Sequence, residues 1–160
     1  MSDAQQNNQP VFSIEKLYVK DLSLEIPNAP QSFLERETPT VDIQLHHSSS
    51  RVDDGLYQTL LTVTVTAKVG EKTLFLVEAA QAGIFTLRNI PQGDMDAVLA
   101  IACPNILFPY VREVVSDVVV RSGFPPVVLN PVNFEALYQA QRDALATKAT
   151  PQIITPTLSH

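Results

Sequence analysis

Twelve prolines punctuate this 160-residue chain, and none falls between Pro39 and Pro91. Proline takes a donor out of a β-ladder, so the proline-free window of a proline-rich chain is where paired strands belong. Inside it Leu61, Val63, Val65, Ala67 and Val69 alternate with Thr62, Thr64, Thr66 and Lys68. A period of two sends the first set to one face of a pleat and the second set to the other. Gly70 and Glu71 predict a turn into a second strand over residues 73–87, completing a hairpin. Residues 12–26 predict a further strand, with Tyr18, Leu22, Leu24 and Ile26 on one face and Asp21, Ser23 and Glu25 on the other. A short strand is expected over residues 41–45. The proline-rich connection before it, IPNAPQSFLERETP, is too long for a tight hairpin and is expected to cross over the sheet.

The period then changes. From Asp94, a candidate N-cap, Met95, Val98, Leu99 and Ala102 recur at helical spacing until Pro104, which should end or kink the helix. A second run carries Val111, Val114, Val115, Val118 and Val119 on one side. Arg112, Glu113, Ser116, Asp117 and Arg121 lie on the other. Gly123 and the Pro125-Pro126 pair stop it. Valine is a poor helix former, so this stripe needs tertiary or quaternary burial to hold it helical. A last helix starts after Asn133 and presents Phe134, Leu137, Tyr138 and Leu145 on one stripe. Strands first and helices second give an α+β fold with a four-stranded antiparallel sheet. One domain is expected over residues 12–148, between tails at 1–11 and 149–160.

Composition removes several functional classes. Seventeen acids against eleven bases leave a net charge of −6, which repels phosphates and anionic lipids. Neither a nucleic-acid partner nor membrane insertion is expected. The longest uncharged stretch, residues 97–111, is too short to span a bilayer and contains two prolines. The opening MSDAQQNNQP lacks a basic segment followed by an apolar core, so no secretory signal is expected. A single cysteine rules out an internal disulfide and fits a reducing, cytoplasmic setting. Hydrophobic residues make up 45% and charged residues only 18%, which favours oligomers or exposed apolar grooves.

Catalytic signals are weak. Cys103 with a histidine could form a thiol nucleophile, but its place in an apolar helical run suits a buried small hydrophobe better. His46 and His47 are adjacent on a strand and point to opposite faces, a poor arrangement for one metal; His160 stands alone. Ser48, Ser49 and Ser50 beside Arg51 and Asp53-Asp54 read as a solvated loop. No nucleotide-loop, nucleophile-elbow or metal-ligand motif occurs, so no catalytic set, metal or cofactor is expected. Two features suit binding better. Asp21 and Glu25 share a strand face and Glu78 lies in another strand: an ordinary solvated sheet face, or a docking site for a basic partner. Tyr18, Phe33, Val41, Ile43, Leu45, Phe124, Leu137 and Tyr138 are either core or the walls of a groove for extended apolar peptide.

Long stretches of the chain closely resemble the bacterial SecB chaperones. They are YVKDLSLEIPNAP, LTVTVTAKVGEKTLFLVE, AGIF, CPNILFPYVRE and FPPVVLNPVNFEALY, in register from about Phe12 to Tyr138. The resemblance implies a four-stranded antiparallel sheet with helices on one side, assembled as a homotetramer, a dimer of dimers. It implies a holdase with no enzymatic activity and no cofactor, which keeps unfolded preproteins in apolar grooves and delivers them to the SecA ATPase. By position, Asp21, Glu25, Leu76 and Glu78 match the family's SecA-docking residues. The groove is expected at Phe33, Val41, Ile43, Leu45, Phe124, Leu137 and Tyr138, from the crossover connection, the short strand and the last helix. The helix bearing CPNILFPYVREVVSDVVV is implied to meet its counterpart between dimers through Val111, Val114, Val115, Val118 and Val119.

One departure from the family concerns the C-terminal tail. No acid follows Asp143 and the chain ends TKATPQIITPTLSH, so a tail contact to SecA is put in doubt while the sheet contact is not. The competing readings are a Cys103 enzyme, a structural subunit, and a dedicated secretion-effector chaperone with a narrow client set.

Overall fold

A computed structural model describes residues 8–149. Of the expected tails, 1–11 and 149–160, residues 1–7 and 150–160 lie outside the described residues, while Val11 opens the first strand and Ala149 ends the last helix. Four antiparallel strands, β1 (Val11–Glu25), β2 (Thr40–Asp53), β3 (Leu56–Val69) and β4 (Lys72–Arg88), form one sheet in the order β1-β4-β3-β2. The β3–β4 hairpin turns at Gly70 as its sequence predicts. The β1–β2 connection crosses two strands to reach the far edge, through a cis Ala29-Pro30 bond and a single 3₁₀ turn, Gln31–Leu34. β2 is nearly three times the length its sequence suggested. His46 to Arg51, read in part as a loop, pair with Thr62 to Tyr57, and the hairpin closes at Gly55 with φ +66°. Polar residues conceal a strand when it lies on an edge and one flank faces water.

The helices follow the sheet. α1 (Gln92–Ala97) runs through a π turn (Val98–Ala102) into α2 (Cys103–Arg121), and α3 (Phe134–Ala149) comes last. Pro104 does not end the helix, contrary to expectation. The π turn just before it, where the Cys103 N–H reaches back to the Val98 carbonyl, makes room for the proline ring. α1 begins at Gln92, ahead of the expected Asp94 cap. Asn133 does cap α3, its Oδ1 accepting the Ala136 N–H at 3.0 Å.

The core lies between α2 and the two central strands. A helix is about 10 Å across and strands are about 4.8 Å apart, so one helix covers two strands and no more. On the covered face Leu61, Val63, Val65 and Ala67 of β3 and Val77, Ala79 and Phe85 of β4 are fully buried. Facing them are Cys103, Leu107, Val111, Val115 and Val119. Burying a valine contributes about 1.5–3 kcal/mol, which outweighs its helix-propensity cost of under about 1 kcal/mol. The valine stripe is therefore internal to one chain. Val111, Val115, Val118 and Val119 are buried in the chain's own core, which leaves them no surface for the expected interface between copies, whereas Val114 is half-buried against the core. The segment Gln92–Arg121 is long and apolar enough to pass for a membrane span, with mean hydropathy 1.5. Its apolar residues Cys103, Leu107, Val111, Val115 and Val119 are packed on the sheet, while Tyr110 and Val120 face outward.

One polar seam runs through this core. Thr59, fully buried on β3, meets Ser49 Oγ on β2 at 2.8 Å and hydrogen-bonds the Cys103 thiol of α2. Burial pushes that thiol up to about 11, and the Thr59 bond only partly opposes the rise. About one thiol in a thousand is ionised at pH 8, so Cys103 should resist thiol reagents in the native protein and react at once in denaturant. Rapid native labelling would disprove its burial. Close packing gives a second expectation. A Cβ at Gly83 would lie 2.8 Å from Phe85 Cε2 and 2.9 Å from Leu107 Cδ2, whereas one at Gly93 meets nothing within 4 Å. In urea unfolding, Gly83→Ala should cost about 1–3 kcal/mol while Gly93→Ala is neutral or slightly stabilising.

Candidate functional site

Both sheet faces offer binding surface, and strand register places every candidate residue. On the face away from the helices the rows across the sheet read Asp42–Thr66–Leu76–Glu25, then Gln44–Thr64–Glu78–Ser23, then His46–Thr62–Ala80–Asp21. Asp21, Glu25 and Glu78 thus converge around Ser23, with the two β1 acids each diagonal to Glu78, about 7–8 Å for such neighbours. Leu76 lies beside Glu25. Among the described residues no ion pair involves Asp21, Glu25 or Glu78. Three carboxylates in one neighbourhood, unneutralised and exposed, form a standing negative field on a flat surface. Asp42 adds a fourth at the end of the Leu76 row, and only the pairing of β2 with β3 reveals it.

Tyr18 does not share a face with Leu22 and Leu24. Register shifts between Ile14 and Lys16 and between Val19 and Asp21 each insert a residue, and the second inverts the alternation. Tyr18 therefore joins the open face, where its hydroxyl donates to Gln58 Oε1.

The helix-side face carries the apolar candidates, and they divide into two sets. Val41 and Ile43 project from β2 on this side at 42% and 46% exposure, because α2 does not reach the edge. Leu45 is half-buried against the core. At this end Phe33 from the crossover stacks on Phe124 at 5.0 Å and 23°, and Phe124 lies 5.1 Å from Phe75 of β4. These rings join the crossover to the sheet and wall a surface that Val41 and Ile43 extend. Leu137 and Tyr138 belong to the other end. Tyr138 lines a cavity of about 570 Å³ with His47 and Ser49 of β2, Asp96 of α1, Leu99 of the π turn, and Arg142 of α3. Arg142 sits 5.7 Å over the Tyr138 ring. This cavity escaped the sequence reading because Ser48 and Ser49 were assigned to a loop. Edge strand β1 also leaves Phe12, Ile14, Val19, Leu22 and Leu24 37–47% exposed.

The histidines divide as expected, His46 on the open face and His47 on the helix side. His47 meets Phe134 edge-on at 6.4 Å and 80°. Burial and then the charge of His46 hold its imidazole below the usual histidine range. Among the described residues no group of three metal-ligating side chains comes together.

The family model for "Preprotein translocase subunit SecB" matches residues 5–144. The chain is 63% identical to the protein-export protein SecB of Nitrosospira multiformis over 152 residues, 95% of this chain and 94% of that one. It is 64% identical to that of Chromobacterium violaceum over 138 residues, 86% and 92% of the two chains. With the SecB of Nitrosomonas eutropha it shares 54% identity across the whole of both chains. Among solved structures, a SecB-like chaperone of Mycobacterium tuberculosis in complex with a ChAD peptide from an antitoxin has the same fold. The TM-score is 0.63 at 15% identity, covering 76% of this chain and 91% of that one. Matched over nearly its whole length, this chain belongs to the SecB family of protein-export chaperones.

Proposed function

We propose that this chain is a holdase that binds unfolded preproteins along its helix-side apolar margin and delivers them to SecA through the open sheet face. The observation that carries the reading is the exposed apolar margin beside the Phe33–Phe124–Phe75 stack, on a fold whose own core is already complete. Apolar contact contributes about 25 cal/mol per Å² whatever the client's sequence, and several weak subsites on one client reinforce one another. Binding of this kind competes with aggregation by mass action on the unfolded chain and requires no chemistry. It suits a family of export chaperones that is not an enzyme family. Clients lie in extended form along β2, with Phe33, Val41, Ile43 and Phe124 at one end and Leu137 and Tyr138 at the other.

The docking surface for SecA is Asp21, Glu25 and Glu78 with Leu76 among them, in an arrangement that would accept a basic partner. The C-terminal tail lacks acids and adds little to this contact. The working unit is a homotetramer, a dimer of dimers, in the cytoplasm, where preproteins await export. Its contacts fall on surfaces other than the valine stripe. The uncapped β1 edge with its exposed apolar residues suits a two-fold partner, and the outward side of α2, with Tyr110 and Val120 exposed, suits the second contact.

Light scattering of a diluted, denatured preprotein tests the holdase reading, with sedimentation giving the mass. Near-stoichiometric suppression of aggregation by a tetramer is expected, and Ile43→Asp with Phe33→Ser should abolish most of it. An inert protein would sink the reading. For SecA, Glu78→Lys should weaken binding about tenfold or more, about 1.4 kcal/mol or above, with the loss shrinking in high salt. Truncation after Lys148 should leave binding nearly intact. The reverse pattern would move the docking surface to the tail.

A further inference from the structure

α3 is held to the rest of the molecule at one end. Phe134 is its only buried residue among those described, 1% exposed, and from Glu135 to Lys148 every side chain but the half-buried Tyr138 is exposed. The Phe134 ring is gripped between Phe108 of α2, 6.0 Å away at 70°, and His47 of β2, 6.4 Å away at 80°. Beyond that anchor the helix roofs the cavity of about 570 Å³ with Tyr138, Gln141, Arg142 and Leu145, and His47 stands on the cavity's opposite wall. One titratable ring therefore both packs against the anchor and faces the space the helix covers.

We propose that protonation of His47 unseats α3, so that the cavity beneath it keeps its helical wall at neutral pH and loses it in mildly acidic solution. Burial sets the direction, and the charges around His47 add to it. On its own strand stands His46, which already disfavours a second positive charge. From α3 comes Arg142 on the cavity wall, and from α2 comes Arg112, 5.6 Å over the Phe108 ring that grips the same anchor. β3 offers only Leu61 opposite His47 in register, and the π turn offers Leu99 and Ala100. The single carboxylate lining the cavity is Asp96 of α1, which is exposed and so screened by water. Burial against Phe134 and the charge of His46 oppose the imidazolium, Arg142 on the cavity wall adds a further positive charge, and one solvated carboxylate favours it.

The linkage follows. With α3 seated, the His47 proton is held less tightly than the ordinary value of 6.5; with α3 away, the ring is better solvated and moves back toward that value, while His46 stays beside it. Above 6.5 both forms are neutral and seating is undisturbed. As pH falls below 6.5 the unseated form gains the proton first. The ratio of unseated to seated then grows by up to about tenfold per pH unit, levelling once the seated form is protonated too. This device goes beyond the chaperone reading and does not depend on it.

Amide hydrogen exchange between about pH 7.5 and pH 5, corrected for intrinsic exchange rates, tests it on the full chain. The expected result is that opening of α3 amides rises below 6.5 in the native protein while β3 amides stay protected. The rise should vanish in both His47→Gln and His47→Thr and persist in His46→Gln. Two replacements keep the test decisive if one misfolds. The proposal is overturned if the acid response survives loss of His47, if α3 shows no response in the native protein, or if β3 opens in parallel. It is equally overturned if both variants leave α3 open at every pH, which would make His47 an anchor without a switch.

Discussion

Everything in this molecule follows from one helix lying on two strands of a four-stranded sheet. α2 covers β3 and β4 and seals their inner face with valine, leucine and a buried thiol. It cannot reach β1 or β2. The apolar residues of those strands remain half in water, on the same face and in the same rows as fully buried neighbours. Val41 stands beside Ala67, and Ile43 beside Val65. Exposed apolar surface here is a geometric remainder, the width of a sheet minus the width of a helix, so the exposed margins and the core are set by the same dimension.

Much of this was legible in the sequence. Alternation in the proline-free window gave the central hairpin and its two faces, because a strand buried on one side must repeat every second residue. Asn133 announced α3 through its capping oxygen. What stayed hidden had physical causes. His46 to Arg51 look like a loop because an edge strand can be polar. Tyr18 changed faces because a bulge leaves no mark in the hydrophobic pattern. The helix continues past Pro104 because a π turn supplies the room, and nothing local signals one.

The valine stripe is the instructive correction. Poor helix formers on one face demanded burial, and burial was found, but inside the chain and against its own sheet. A stripe in the sequence states how much apolar surface must be hidden and is silent on whose surface hides it. The carboxylates show the complementary case. Asp21, Glu25 and Glu78 are far apart along the chain, yet the antiparallel pairing of β1 with β4 gathers them around Ser23. Their acidity was readable residue by residue. Their convergence, with Asp42 beyond them, required the register.

The threonines of β3 have a consequence of a different kind. Thr62, Thr64 and Thr66 occupy the centre of the open face, half-buried, back to back with Val63 and Val65. Threonine has nearly the shape of valine and shares its liking for strands, but its hydroxyl keeps water attached. With valine in those three places the sheet would be greasy on both sides and prone to stacking. Threonine keeps the strand and withholds the adhesion, so the centre of the open face stays polar while the exposed apolar margins lie on the helix side.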